Sequence, residues 1–336
     1  MTSRKQRWLY LLPLVPVLFI FLSLFIGRYP VPPVVAAHIL WSKFTGAPAD
    51  VPDISRTVVW DIRLPRAILG AMVGGSLAAS GAAFQGLFRN PLVNSGILGV
   101  SAGAGFGASL AILLFKSVVL VYAFAFGFGF LAVILSYLIG RIYRSTPTIM
   151  LVLGGVIVSS MFQALISFIK YIADPYEKLP AIVFWLMGSL ASARFQDIIV
   201  ASIPMSVGMA GLVAISWRIN VLSMGDKEAQ TLGVNVVLEK GIVIFCASLA
   251  TAGAVCVSGI IGWVGLVIPH IGRMIVGNDN RVLIPTSMAL GGAYLILVDT
   301  LARVVSGSEI PLGILTALVG GPFFVYLLKK TKGGGW

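Results

Sequence analysis

The sequence predicts an all-α polytopic membrane protein with ten transmembrane helices, and three features carry that prediction. Hydrophobic residues make up 58% of the 336-residue chain, whereas Asp, Glu, Lys and Arg together make up 11%. A soluble domain of this length needs far more polar surface to cover its core. Charge is almost absent from the long apolar runs and gathers in the gaps between them, and mean hydropathy is +0.99. The runs are about 20 residues long, enough to cross a bilayer as helices. They are too uniformly apolar for the alternating pattern of a membrane barrel. Little chain is left over, so residues 1–336 read as one transmembrane domain.

The runs fall at 8–28, 62–86, 95–115, 118–140, 147–171, 198–217, 240–258, 260–276, 282–302 and 310–328. The first follows Arg4, Lys5 and Arg7, as a secretory signal would. It is longer than a signal's apolar stretch and lacks a small-residue cleavage site, so it reads as a retained helix with its N-terminus inside. Residues 29–61, rich in proline (Pro30, Pro32, Pro33, Pro48, Pro52), form an outer polar segment. Gly70 with Gly74, and Gly103 with Gly107, have the small-residue spacing that lets helices approach closely in lipid. A second outer segment, 172–197, contains PAIVFWLMGSL, too short to span and read as a half-helix. The inner segment 218–239 contains Gly225-Asp226-Lys227-Glu228-Ala229-Gln230-Thr231-Leu232-Gly233. Asp226 can cap a short helix there and Gly233 can end it. Such a helix is either a handle for a cytoplasmic partner or a solvated loop.

Ten spans from an inside N-terminus put both termini in the cytoplasm and place 14 of the 24 Lys and Arg residues on the inner side. The net charge of +12 then orients helices and meets anionic headgroups rather than nucleic acid. A weak internal repeat, Leu77-Ala78-x-x-Gly81-Ala82 and Leu249-Ala250-x-x-Gly253-Ala254, relates helices 2–5 to helices 7–10. Five spans separate the copies, so they run in opposite directions, as in inverted-repeat transporters.

The chain lacks much catalytic chemistry. It has no Gly-Lys dipeptide and hence no phosphate cradle of the Walker A kind. His38 and His270 are far apart, and His270 beside Pro269 reads as a capping or packing residue at an inner helix end. Cys246 and Cys256, about 15 Å apart along one helix, cannot bridge each other. No catalytic set, metal site or cofactor is expected. The twelve carboxylates lie in loops or near helix ends; Asp299 is the deepest, with Arg303 at i+4 to pair with it. No midplane carboxylate suited to ion coupling is visible. A conduit of this kind draws its energy from another subunit. A stand-alone secondary carrier or channel is the alternative.

Three stretches resemble one family: residues 62–107 (IRLPRAILG through SAGAGFG), residues 225–233 (GDKEAQTLG) and residues 258–324 (SGIIGWVGLVIPH through LVGGPFF). They are similar to the permease (FecCD-type) subunits of bacterial ABC importers for iron–siderophore complexes, haem and cobalamin. Trp263, where Phe is more usual, and Val298, where Ala commonly precedes the Asp, are small departures. The resemblance implies a ten-helix permease in the cell inner membrane, not itself an enzyme. It implies a homodimer on two copies of a cytoplasmic ABC ATPase, with a periplasmic or lipid-anchored substrate-binding protein docking from outside. Arg63, Arg66 and Arg303 match the family's docking arginines, and Gly225, Asp226, Lys227, Glu228, Ala229, Gln230, Leu232 and Gly233 its ATPase-coupling motif. Ser145, Thr146 and Thr148 fall in the family's inner gate region. The implied cargo is a metal chelate, an iron(III)–siderophore first, with haem or cobalamin as the other candidates. Six arginines in a dimer would form an outer positive ring that steers an acidic partner and fixes its register.

Overall fold

The structure is a computed structural model that describes residues 11–46, 50–141 and 147–330. Within them all regular structure is helical. The elements are α1 (Leu14–Phe25), α2 (Pro33–Thr45), α3 (Asp53–Phe88), α4 (Val100–Leu114), α5 (Val118–Gly140), α6 (Thr148–Ile172) and α7 (Lys178–Met187). There follow α8 (Phe195–Ala214), α9 (Ser216–Leu222), α10 (Asp226–Thr231), α11 (Val236–Ser258), α12 (Val264–Val276), α13 (Asn280–Val305) and α14 (Leu312–Lys330).

Each of the ten expected runs falls on a helix. Six of these helices, α3, α5, α6, α8, α11 and α13, are long and apolar enough by length and composition to cross a membrane. The other four runs fall on the shorter helices α1, α4, α12 and α14. The proline-rich segment is not a loop throughout. Pro33 opens α2, because its fixed φ suits the first turn and its missing N–H is not needed there. Helix α3 starts nine residues before its expected boundary and contains a π-helical stretch, Thr57–Arg63. The half-helix is present as α7 and ends at Gly188, whose φ of +73° favours glycine.

The core forms around α3, which packs on α8, α11, α12 and α13. Buried small residues such as Ala79, Ala82 and Ala83 bring the helices close. A methyl at Gly74 would strike the Gly291 carbonyl, and one at Gly81 the Gly265 carbonyl. Gly103 and Gly107 abut the carbonyls of Phe128 and Phe124 on α5, whereas a methyl at Gly70 would meet Leu190 and Ile296 at ordinary van der Waals distance. The two repeat copies lie on the neighbouring helices α3 and α11, where Ser80 Oγ donates to the Ala247 carbonyl at 2.9 Å. Cys246 and Cys256 are both free and buried. His270 sits within α12, not at its end, because the helix runs on through Pro269 to Val276.

Trp263 precedes α12 with φ +66°, which is costly for a bulky side chain. Its indole lies against Gly320, where a methyl would have no room. The tryptophan thus stands where α14 offers a glycine to receive it.

Candidate functional site

The polar chemistry gathers at the two ends of the bundle. At one end stand Arg28, Arg63, Arg66, Asp299, Arg303 and Glu309. Arg66 lies in the first turn after the π-helical stretch, two residues past Leu64. Its guanidinium holds two carboxylates. Nε donates to both Asp299 oxygens at 2.8 and 2.9 Å, while Nη1 and Nη2 each donate to one Glu309 oxygen at 2.8 Å. This planar pairing is the arrangement arginine suits and lysine does not.

Arg303 Nε stands 3.3 Å from Asp299 Oδ2, an ion pair without hydrogen-bond geometry, and Nη2 reaches Thr300 Oγ1 at 3.1 Å. Arg63 turns the other way. It donates to the Leu24 carbonyl at 2.7 Å and the Tyr29 carbonyl at 2.6 Å, fastening α1 and its following turn to α3. Its guanidinium lies where a side chain on Gly27 would have to go. Arg28 donates to the Arg303 carbonyl at 3.0 Å and also to the Ser306 carbonyl. Arg63, Arg66 and Arg303 are therefore buried, at 3%, 3% and 7% exposure. They do not form an open positive ring within one chain. Desolvated charges need partners, and here Arg66 and Arg303 share two carboxylates while Arg28 and Arg63 rest on main-chain carbonyls. Glu309 lies in the loop between α13 and α14. Burial pushes its carboxyl up, but hydrogen bonds from Arg66 reverse that and hold it below the usual carboxylate value.

At the other end lies α10. Gly225, with φ +135°, precedes it, and Gly233, with φ +77°, follows it. The buried Ala229 fixes one face to the body. Lys227, Glu228, Gln230, Leu232 and Gly233 are exposed, with Met224 and Leu238 exposed beside them. Asp226 does not cap this helix as expected. It is the first helical residue, and its carboxylate takes the Lys240 ammonium at 2.7 Å instead. Lys240 also reaches Thr148 Oγ1 at 3.5 Å. Thr148 opens α6, whereas Ser145 and Thr146, the other expected gate residues, lie outside the described residues. Nearby, Asn220 donates to Asp279 at 2.7 Å and accepts from the Asn280 backbone at 2.8 Å, tying α9 to the start of α13. A hydrogen bond from Arg281 lowers the Asp279 carboxyl to about 2, with burial opposing it. Arg218 pairs with Glu239 on this side too.

The sequence reading named Arg63, Arg66, Arg303 and residues 225–233 but did not single out Glu309 and Lys240, which the structure sets against Arg66 and Asp226. Their only signal was a charged residue beside or just inside an apolar helix. Among the described residues, no group of His, Cys, Asp and Glu is placed to hold a metal ion.

The described residues form an all-helical body whose ion pairs lie near its ends, the build of a multi-pass membrane protein. The comparisons with known proteins agree. The FecCD transport family matches residues 14–330, so the chain belongs to that family. The chain is 42% identical over 327 residues to the molybdate import system permease protein MolB of Haemophilus influenzae, covering 97% of this chain and 96% of that one. It is 43% identical over 306 residues to the cobalamin import system permease protein BtuC of Halobacterium salinarum, covering 89% and 82%. It is also similar to a solved inward-facing conformation of a metal-chelate type ABC transporter, with a TM-score of 0.86, 40% identity, and 97% and 99% coverage. The chain is accordingly an ABC transporter permease subunit, and ATP hydrolysis belongs to a separate subunit.

Proposed function

We propose that this chain is the translocation subunit of an ATP-driven importer for a metal chelate, with an iron(III)–siderophore as first candidate cargo. Relatives named for iron chelatin, hemin and cobalamin support the chelate class. The molybdate-named relative keeps an oxyanion in the test. Two copies form a homodimer in the inner membrane with both termini cytoplasmic, and the exposed apolar face of α6 (Leu153, Val156, Ile157, Met161) is available to the second copy. Two copies of an ABC ATPase sit against α10, and a periplasmic or lipid-anchored binding protein docks at the arginine end. Arg63 there, bonded only to main-chain carbonyls, supplies charge that the two carboxylates do not pair. ATP-driven closure of the ATPase pushes α10, and the path between the protomers opens to one side at a time.

The observation that carries this reading is α10. It is bounded by glycines, held by one face, and presents a ridge of exposed polar residues with an exposed Leu232 at its end. The test is purification in mild detergent from its own cells, with a search for an accompanying ATPase, followed by cross-linking from Lys227→Cys. The ATPase should co-purify and cross-link at that position. Uphill uptake into vesicles by this chain alone, on an ion gradient, would make it a secondary carrier instead.

A further inference from the structure

Lys240 is fully buried, at 1% exposure, one turn into the apolar helix α11. An ammonium in such a place is costly without partners. Its position reaches two separate elements. One is Asp226 of α10, half-exposed and facing the coupling segment, at 2.7 Å. The other is Thr148, first residue of α6, at 3.5 Å. The two contacts differ in kind. The Asp226 contact is a short charge-assisted bond that holds. The Thr148 contact is long enough that a few tenths of an ångström make or lose it. α6 itself leans on α4 and α5.

We infer that Lys240 is a positioning residue for transport: it joins α10 to the inner end of α6, so that displacement of the coupling segment changes the hold on Thr148. This rests on the reading that the ATPase grips residues 225–233. The exposed carboxylate of Asp226 moves with α10. The long aliphatic stem of Lys240 is buried, and its ammonium touches both Asp226 and Thr148. A lysine suits this because its single ammonium offers several donors from one point.

The test uses the full complex with its ATPase and a fluorophore on Ile149→Cys, an exposed position next to Thr148. Adding ATP to the otherwise unaltered complex should change the emission. Lys240→Met should keep ATPase co-purification while cutting the ATP-dependent change about five- to tenfold, the size of an ordinary coupling free energy. Lys240→Arg should restore most of it, a rescue that a mere packing role would not require. Thr148→Val, which removes the weaker contact without stranding a charge, should give a partial loss and guards against a misfolded methionine variant. A full ATP-dependent signal in both Lys240→Met and Thr148→Val would overturn the role of Lys240 while leaving the coupling segment in place. An ATPase that does not touch residues 225–233 in the unaltered complex would overturn both.

Discussion

Glu309 occupies the same guanidinium edge of Arg66 that a docking carboxylate would need. It is one-third exposed, whereas Arg66 is buried, so it is the member of the pair that can be displaced from outside. Glu309→Gln should therefore strengthen association with the binding protein by about two- to fivefold at low salt, the worth of a partly exposed ion pair. Titration of the binding protein at two ionic strengths checks this; identical affinities for the two proteins would show that Glu309 does not compete. The pH dependence has a definite sign. The folded carboxyl lies below its ordinary value of 4.5, so the clamp's contribution to stability is present above that value and is lost as pH falls through the lower folded one. Arg66→Ala should behave differently from Glu309→Gln. It leaves Asp299 in the interior with only the looser Arg303 pair and should cost about 3 kcal/mol, read as a fall in melting temperature in detergent. These roles were hard to read from sequence because the partners are 233 and 243 residues apart. The motif marked the arginines; nothing local marked the loop glutamate that neutralises one of them.

Helices that meet through glycine impose a different test. Gly291→Ala would drive a methyl toward the Gly74 carbonyl and the Ala78 side chain. Gly127→Ala, on α5, meets nothing within 4 Å. The first should destabilise by about 1–3 kcal/mol through overpacking, and the second should be neutral or stabilising by up to about 1 kcal/mol through helix propensity. Paired thermal melts separate them, and equal melts would mean that α3 and α13 can part at little cost. At this scale the sequence was most legible. Each of the ten apolar runs falls on a helix, six of them of spanning length, and the end of α5 matches its expected boundary at residue 140. The start of α3 was missed because Asp53, Arg56 and Asp61 read as loop, although a helix near the bundle end tolerates charge on its solvent side. The cap assigned to Asp226 failed for a related reason: a buried lysine competes for the carboxylate more strongly than a backbone N–H.

For the whole molecule, cargo is the property least written in this chain. The relatives differ in the cargo they are named for, yet the match runs almost from end to end. A panel of ferric siderophore, hemin, cobalamin and molybdate, tested for ATP-dependent uptake by the complete complex, should show one accepted class set by the binding protein. Exchanging the binding protein for that of a relative should move the preference with it. If preference instead stayed with this permease, its interior would be selecting the cargo.

The main-chain contacts at Gly74–Gly291 and Gly81–Gly265 also limit where deformation can occur. With no cushion of side chains between them, α3, α12 and α13 cannot slide without one carbonyl passing over another. They form a stiff slab, so any rearrangement has to fall on the helices that meet it through side chains.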